Sequence, residues 1–333
     1  MKKLKKENKR KKGIKMREKI PNFVFLIVCF IFYILHSNSY ASFNIINPSA
    51  RSLGMGNSFV AVADDINSIY SNPAGLGNLK SWEVLTSYSK LYWGISNLAE
   101  SFIGVGVPFK EYGSVGVGWY NFNESLYNEN VFYLVYAYPI KDASFGVNFK
   151  YLIRNYISNE WVTNNPYFTS LNKSNFSFGF SLFTYLLKDL SFGLFIDDFN
   201  QPDVGIVEEK LPMVIRSGVR LNVDKYNLAT AEVFYRNGRI KVHLGGENSS
   251  FKTGNFGILC FRLGCGVGSD NYVNVTCGLG YKFNIPYINI GGEFDYGFLF
   301  PFGFASGTYG THKVSLTIRE LFKELSKTST EEK

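Results

Sequence analysis

The sequence is poor in the residues that most enzymes rely on. Its 333 residues hold three histidines, four cysteines, four methionines and four tryptophans. His36, His243 and His312 lie far apart, and neither a G-x-S-x-G setting nor any comparable nucleophile motif accompanies them, so no catalytic residue is assigned. Cys29, Cys260, Cys265 and Cys277 show no metal-ligand spacing such as C-x₂-C, so neither metal nor cofactor is expected. Phosphate-cradling glycine motifs and nucleic-acid-binding signatures are also missing. After residue 41 there is no apolar run near the roughly 20 residues that a membrane-spanning helix needs. These absences leave a non-enzymatic protein without spanning helices.

What is present begins with a leader. Residues 1–41 carry eleven Lys and Arg against Glu7 and Glu18, then the apolar run from Phe23 to Leu35, then Ser39-Tyr40-Ala41. A basic region, a short apolar core and small residues three and one positions before Ser42 predict a secretory signal peptide over 1–41, cleaved after Ala41. Met16 offers a second start that would leave an ordinary leader. The formal net charge of +8 belongs to this region. Removing its eleven basic and two acidic side chains from totals of 35 and 27 leaves 24 and 25, a net of −1. The high pI therefore carries no message about nucleic acid.

The exported remainder alternates. Residues 143–154 put Phe145, Val147, Phe149 and Tyr151 on one face and Ser144, Gly146, Asn148 and Lys150 on the other. Period-two alternation marks strands whose two faces meet different surroundings. Fourteen such segments follow one another: 82–92, 98–108, 113–122, 130–140, 143–154, 174–184, 189–197, 211–222, 227–236, 239–247, 255–264, 271–283, 286–296 and 310–319. Each is close to the 9–11 residues a tilted strand needs to cross a bilayer, and strands can cross only as a closed barrel. The second face carries charge in most segments, namely Lys150, Arg154, Asp197, Arg216, Arg220, Glu232, Arg236, Lys241, Arg262, Glu293, Asp295, Lys313 and Arg319. A sandwich core could not hold those charges, whereas a barrel lumen can. The longest connections, 155–173 and 198–210, follow odd-numbered segments, as external loops should. Tyr92, Trp93, Trp119 and Tyr120 near segment ends suit an interfacial aromatic girdle. The fold expected is an all-β transmembrane antiparallel barrel of fourteen strands over 81–319, in the outer membrane, with a periplasmic tail at 320–333.

One hairpin fixes its own register. Asn237-Gly238 suits a two-residue turn with positive φ at both positions, which sets Phe234 opposite Lys241 and Glu232 opposite His243. A contact between Glu232 and His243 in the lumen is expected.

Residues 43–80 break the alternation. Gly54 and Gly56 permit close turns, Asp64-Asp65 can cap a helical turn, and Asn72-Pro73 ends it. ARSLGMG (50–56), FVAVADD (59–65) and YSNPAGL (70–76) together resemble the opening of the FadL superfamily of outer-membrane proteins, and above all its short PorV/PorQ-like members. The resemblance implies a fourteen-stranded barrel with residues 42–80 as an N-terminal plug that includes Asn72, Pro73, Ala74 and Gly75. It also implies one of two roles, of which the first is the one expected and the second the alternative. The first is passive transport of a hydrophobic small molecule, for which Phe102, Leu152, Phe195 and Phe234 on the lumenal face could line a path or could simply pack against the plug. The second is a non-transporting partner or scaffold for secretion-system proteins that move cargo to the cell surface. About 17 residues per strand and connection leave little chain for the long loops of the larger transporters.

Overall fold

The computed structural model describes residues 43 and 47–321, apart from 96, 159, 161–163, 167–169, 255–256, 270, 304 and 306. The expected leader and cleavage site, and the tail beyond 321, lie outside the described residues. Fourteen antiparallel strands close into one barrel, each bonded to its neighbours in sequence and β1 to β14. They are β1 (Glu83–Lys90), β2 (Ala99–Pro108), β3 (Ser114–Asn123), β4 (Tyr127–Ile140), β5 (Ala143–Tyr156), β6 (Asn172–Leu187) and β7 (Leu190–Asp197), followed by β8 (Val214–Asn222), β9 (Asn227–Arg236), β10 (Arg239–Lys252), β11 (Gly257–Gly268), β12 (Tyr272–Ile285), β13 (Ile290–Pro301) and β14 (Thr311–Glu320). Strand count and order agree with the alternation. Closure satisfies every edge, which an open sheet in lipid could not do.

Residue parity sorts the wall as its hydropathy demands. Phe145, Val147, Phe176, Phe178, Phe180 and Leu134 face outward and are exposed, while Lys150, Arg216, Glu232, Arg262, Glu293, Asp295 and Lys313 face inward and are buried. Slipping any strand by one residue would exchange these sets, and a Lys brought to the lipid midplane costs about 2–4 kcal/mol. Several strand bounds and one girdle residue depart from expectation. β13, expected over 286–296, runs from Ile290 to Pro301 after a 3₁₀ turn at Pro286–Ile288. β10 runs on to Lys252 with a register shift between Asn248 and Phe251, because its pairing with β11 continues past the Gly245-Gly246 pair. Tyr120 is not part of a girdle, since it points inward, is buried, and donates its hydroxyl proton to Glu100 Oε1 at 2.9 Å.

Asn237 (φ +50°) and Gly238 (φ +75°) both take the positive φ that their turn requires. Lys241 Nζ sits 5.6 Å over the Phe234 ring, as the hairpin register predicts. β1 begins and β14 ends at one end of the barrel, termed the near end. β5 ends and β6 begins at the far end, where the connection 198–213 joins β7 to β8. That connection folds inward, burying Val204 and Leu211 beside Phe43.

Candidate functional site: the barrel lumen

Residues 47–80 are compact and almost wholly buried. Helix α1 (Ala50–Gly54) is capped by Ser49, whose hydroxyl accepts from the Arg51 and Ser52 N–H groups. Helix α2 (Ser68–Ser71) ends at Asn72, and Pro73–Asn78 form a 3₁₀ turn with proline at its start, where a missing N–H costs nothing. The wall receives this segment at glycines. A Cβ on Gly264 would lie 2.3 Å from Gly56 N, and one on Gly146 2.2 Å from Ala74 N. Both approaches are backbone to backbone, so no side chain could move aside.

The strand-borne charges converge on the segment. Arg262, fully buried, donates from Nε to Glu247 (2.6 Å), from Nη1 to Asp295 (2.6 Å) and from Nη2 to Glu293 (2.5 Å). Glu247 also binds Arg51 of α1 at 3.0 Å, and Arg51 Nη1 reaches Asp64 (2.7 Å) and Asp65 (2.5 Å). Burial raises the Asp64 pKa, but Arg51 and Arg220 overcome that and hold it at about 2. Burial likewise opposes the Arg51 charge, yet Asp64, Glu247 and Asp65 keep its pKa well above the usual value. This shared network ties β8, β10, β11 and β13 to the segment. Charges left in such a lumen persist because each is paired and hydrogen-bonded.

Glu232 and His243 are both lumenal, as expected, but their bonds go elsewhere. Glu232 accepts from the Phe59 and Val60 N–H groups at 2.9 Å each and from Arg216 Nε at 2.6 Å. His243 Nδ1 meets the Gly56 carbonyl at 2.7 Å. Among the described residues their hydrogen bonds go to backbone groups of the segment and to Arg216 instead of to each other, because those groups would otherwise be buried without partners. Asn72 Nδ2 donates to the carbonyls of Val60 (2.7 Å) and Leu182 (3.1 Å), and Ala74 N donates to Ser181 Oγ at 2.8 Å. The NPAG residues thus span the segment and β6.

The other side of the lumen is apolar. Ile66, Ile69 and Leu76 pack with Leu85, Phe102, Tyr120, Val131, Tyr133, Val135 and Leu152 in one buried cluster. Phe102 stacks edge-on with Tyr133 at 6.3 Å. Leu152, Phe195 and Phe234 share a different feature, a cavity of about 40 Å³ beneath Phe43 and Leu211. Lys150, Asp197, Asp198, Arg216 and Arg236 line the same cavity, so its wall is ionic as well as apolar. Lys150 Nζ bridges Asp197 (2.7 Å) and Asp198 (2.6 Å). The four lumenal residues singled out in the sequence are therefore split, with Phe102 in the packed cluster, Phe195 and Phe234 on the cavity, and Leu152 on both.

Arg51 and Asp65 were the residues that sequence reasoning passed over, read only as part of a turn motif and a cap. The strand charges singled out in the sequence comprise nine cations and four acids, but Glu83, Glu100, Glu129 and Glu247 on the wall are buried in the lumen as well, so no charge imbalance pointed to Arg51 or Asp65.

The architecture has known counterparts. The CymD monoaromatic hydrocarbon channel superposes with a TM-score of 0.59 at 11% identity, over 84% of this chain and 99% of that one. A Pseudomonas aeruginosa FadL homologue gives 0.57 at 8% identity, over 83% and 98%. The Pseudomonas putida toluene transporter TodX gives 0.55 at 10%, over 84% and 99%. At these identities the likeness establishes the fold, a FadL-type barrel of the outer membrane. No curated protein matches in sequence. Residues 65–318 match the family described as type IX secretion system membrane protein PorP/SprF, which covers most of the barrel. A FadL-type barrel with secretion-associated relatives is what the opening motif implied, and this chain belongs to the PorP/SprF family.

Proposed function

We propose that the chain is a non-transporting outer-membrane partner in protein secretion of the type IX kind, with residues 42–80 as a fixed plug and Asn72, Pro73, Ala74 and Gly75 among its anchors. The observation that carries this reading is how tightly residues 47–80 are bonded to the lumenal wall. Arg51 links α1 to Asp64, Asp65 and Glu247, and the space left beside Leu152, Phe195 and Phe234 is about 40 Å³. A dry cavity that admits benzene measures about 150 Å³. The charged lining of this smaller space would also penalise an apolar guest. A leader cleaved after Ala41 and a periplasmic tail over 320–333 complete the proposed organisation.

Deleting the gene and restoring it in trans tests the role. The expected result is loss of a subset of cell-surface and secreted proteins, measured by mass spectrometry, with fatty-acid and aromatic-hydrocarbon uptake unchanged. An intact secreted proteome would overturn the proposal. Passive transport of hydrophobic compounds is the second reading, favoured by the shared fold and by the three apolar residues on one cavity. In that case Phe195→Asp or Phe234→Asp would reduce uptake while the barrel still inserts.

A further inference from the structure

The outward face of the barrel changes character abruptly on β3 to β6. On β4, Ile140, Tyr138, Tyr136, Leu134 and Phe132 are exposed apolar residues, and the next two outward positions are Asn130 and Asn128. At about 3.4 Å per residue and a tilt near 40°, the apolar stretch is roughly 21 Å tall, close to the ~25 Å band of outer-membrane barrels. The asparagines therefore stand at the rim where hydrocarbon gives way to headgroups. That rim is at the far end, the external side when short turns face the periplasm.

Asparagine pairs with asparagine across all four strands. Asn123 lies opposite Asn128, Asn121 opposite Asn130, Asn128 opposite Asn155, and Asn155 opposite Asn172. The amides are bonded in series. Trp119 Nε1 and Asn121 Nδ2 both donate to Asn130 Oδ1 (3.0 and 3.1 Å). Asn130 Nδ2 and Asn155 Nδ2 both donate to Asn128 Oδ1 (3.1 and 3.0 Å). Among the described residues, Asn128 Nδ2 and the Oδ1 atoms of Asn121 and Asn155 take no partner. The Trp119 ring beside them is 39% exposed.

The outward positions of the ladder carry no charged side chain, and the one charge in the adjoining turn, Glu124, is an anion. Arg154 and Lys173, on the same strands at that level, turn inward to Glu129 and Asp203. Glu124, in the adjoining turn, is spent on the Ser125 hydroxyl and the Leu126 N–H. A phosphate would find no cation here. Amides that both donate and accept, fixed in a row beside an exposed indole, match neutral sugar hydroxyls and the apolar face of a pyranose ring.

We propose that this asparagine ladder binds the uncharged sugars of an outer-leaflet glycolipid, holding the β3–β6 wall against the lipid of the outer face. The proposal does not depend on the secretion reading. It draws its occupant from the continuity of the ladder with the lipid-facing wall and from the absence of charge.

Full-length protein in phosphatidylethanolamine nanodiscs tests it, with a neutral diglycosyl diacylglycerol (uncharged sugars), lipid A (phosphates) or neither added. The neutral glycolipid is expected to raise the thermal unfolding midpoint above that in lipid A. Asn128→Ala with Asn130→Ala is expected to remove at least half of that increment while leaving the midpoint in sugar-free discs nearly unchanged. Trp119→Phe, which keeps the ring and loses the N–H, should give an intermediate loss. Should the double variant fail to insert, Asn121→Ser and Asn155→Ser read the same increment singly. An equal increment in variants and wild type, or one supplied wholly by lipid A, overturns the assignment. So does a protein partner that covers the ladder in native membranes.

Discussion

The two sides of the lumen hold the same N-terminal segment by different physics. Toward β8–β14, α1 and the residues after it meet Arg216, Arg220, Glu232, Glu247, Arg262 and Ser315, and the bonds are ionic or go to bare backbone amides. Toward β1–β5, α2 and the 3₁₀ turn meet Leu85, Phe102, Tyr133 and Leu152, and the contact is close-packed hydrocarbon. The ionic side is directional and fixes where the segment sits. The apolar side supplies cohesion that tolerates small shifts. A segment meant to leave the lumen would have to break both at once.

That contrast is open to attack. Arg262→Ala should have the largest effect, because it leaves Glu247, Glu293 and Asp295 buried without their shared partner. Removing one member of a buried ion pair costs about 3–5 kcal/mol, and urea unfolding of the detergent-solubilised barrel would read it. A loss below about 1 kcal/mol would mean that water already screens the network.

Ile69→Ala probes the apolar side, where Ile69 is fully buried and reaches Gly104, Gly116 and Phe102 with its neighbours. The expected loss is about 2–4 kcal/mol in the same assay. Arg262 and Ile69 share no partner, so the double variant should lose the sum of the single losses to within about 0.5 kcal/mol. A larger coupling would show that the two sides are one cooperative unit.

The smallest effect concerns acid. Asp64 titrates near 2 rather than at its usual 3.8, so its ionised form stabilises the folded chain above the higher value. That contribution is lost as the pH falls through about 2. Midpoints of wild type and Asp64→Asn should differ by a constant amount from pH 7 to about 5, approach each other as the pH falls below about 4, and converge only below about 2. Convergence already near pH 6 would contradict the Arg51 and Arg220 pairing.

The barrel was legible because its signals are local. Alternation in segments such as 143–154 and 174–184, the Asn237-Gly238 turn and the placement of long loops each reported on one or two strands, and closure follows from lipid excluding open edges. The lumen was less legible because its bonds are long-range. Nothing near Glu232 in sequence announces the Phe59 and Val60 amides 173 and 172 residues away. Tyr120 looked like a girdle residue for the same reason, since its neighbour Trp119 faces lipid and parity alone had to separate them. The charges on the lumenal face carried no such clue, because Glu83, Glu100, Glu129 and Glu247 on the wall itself answer much of its positive charge.

The proposed role requires the lumen to be a filled core and not a route. Planar-bilayer conductance of the purified protein tests it most directly, with wild type compared against Arg262→Ala. Wild type is expected to be silent, and the variant, with its ionic side broken, to show intermittent openings. Stable open steps from the wild type itself would contradict the account.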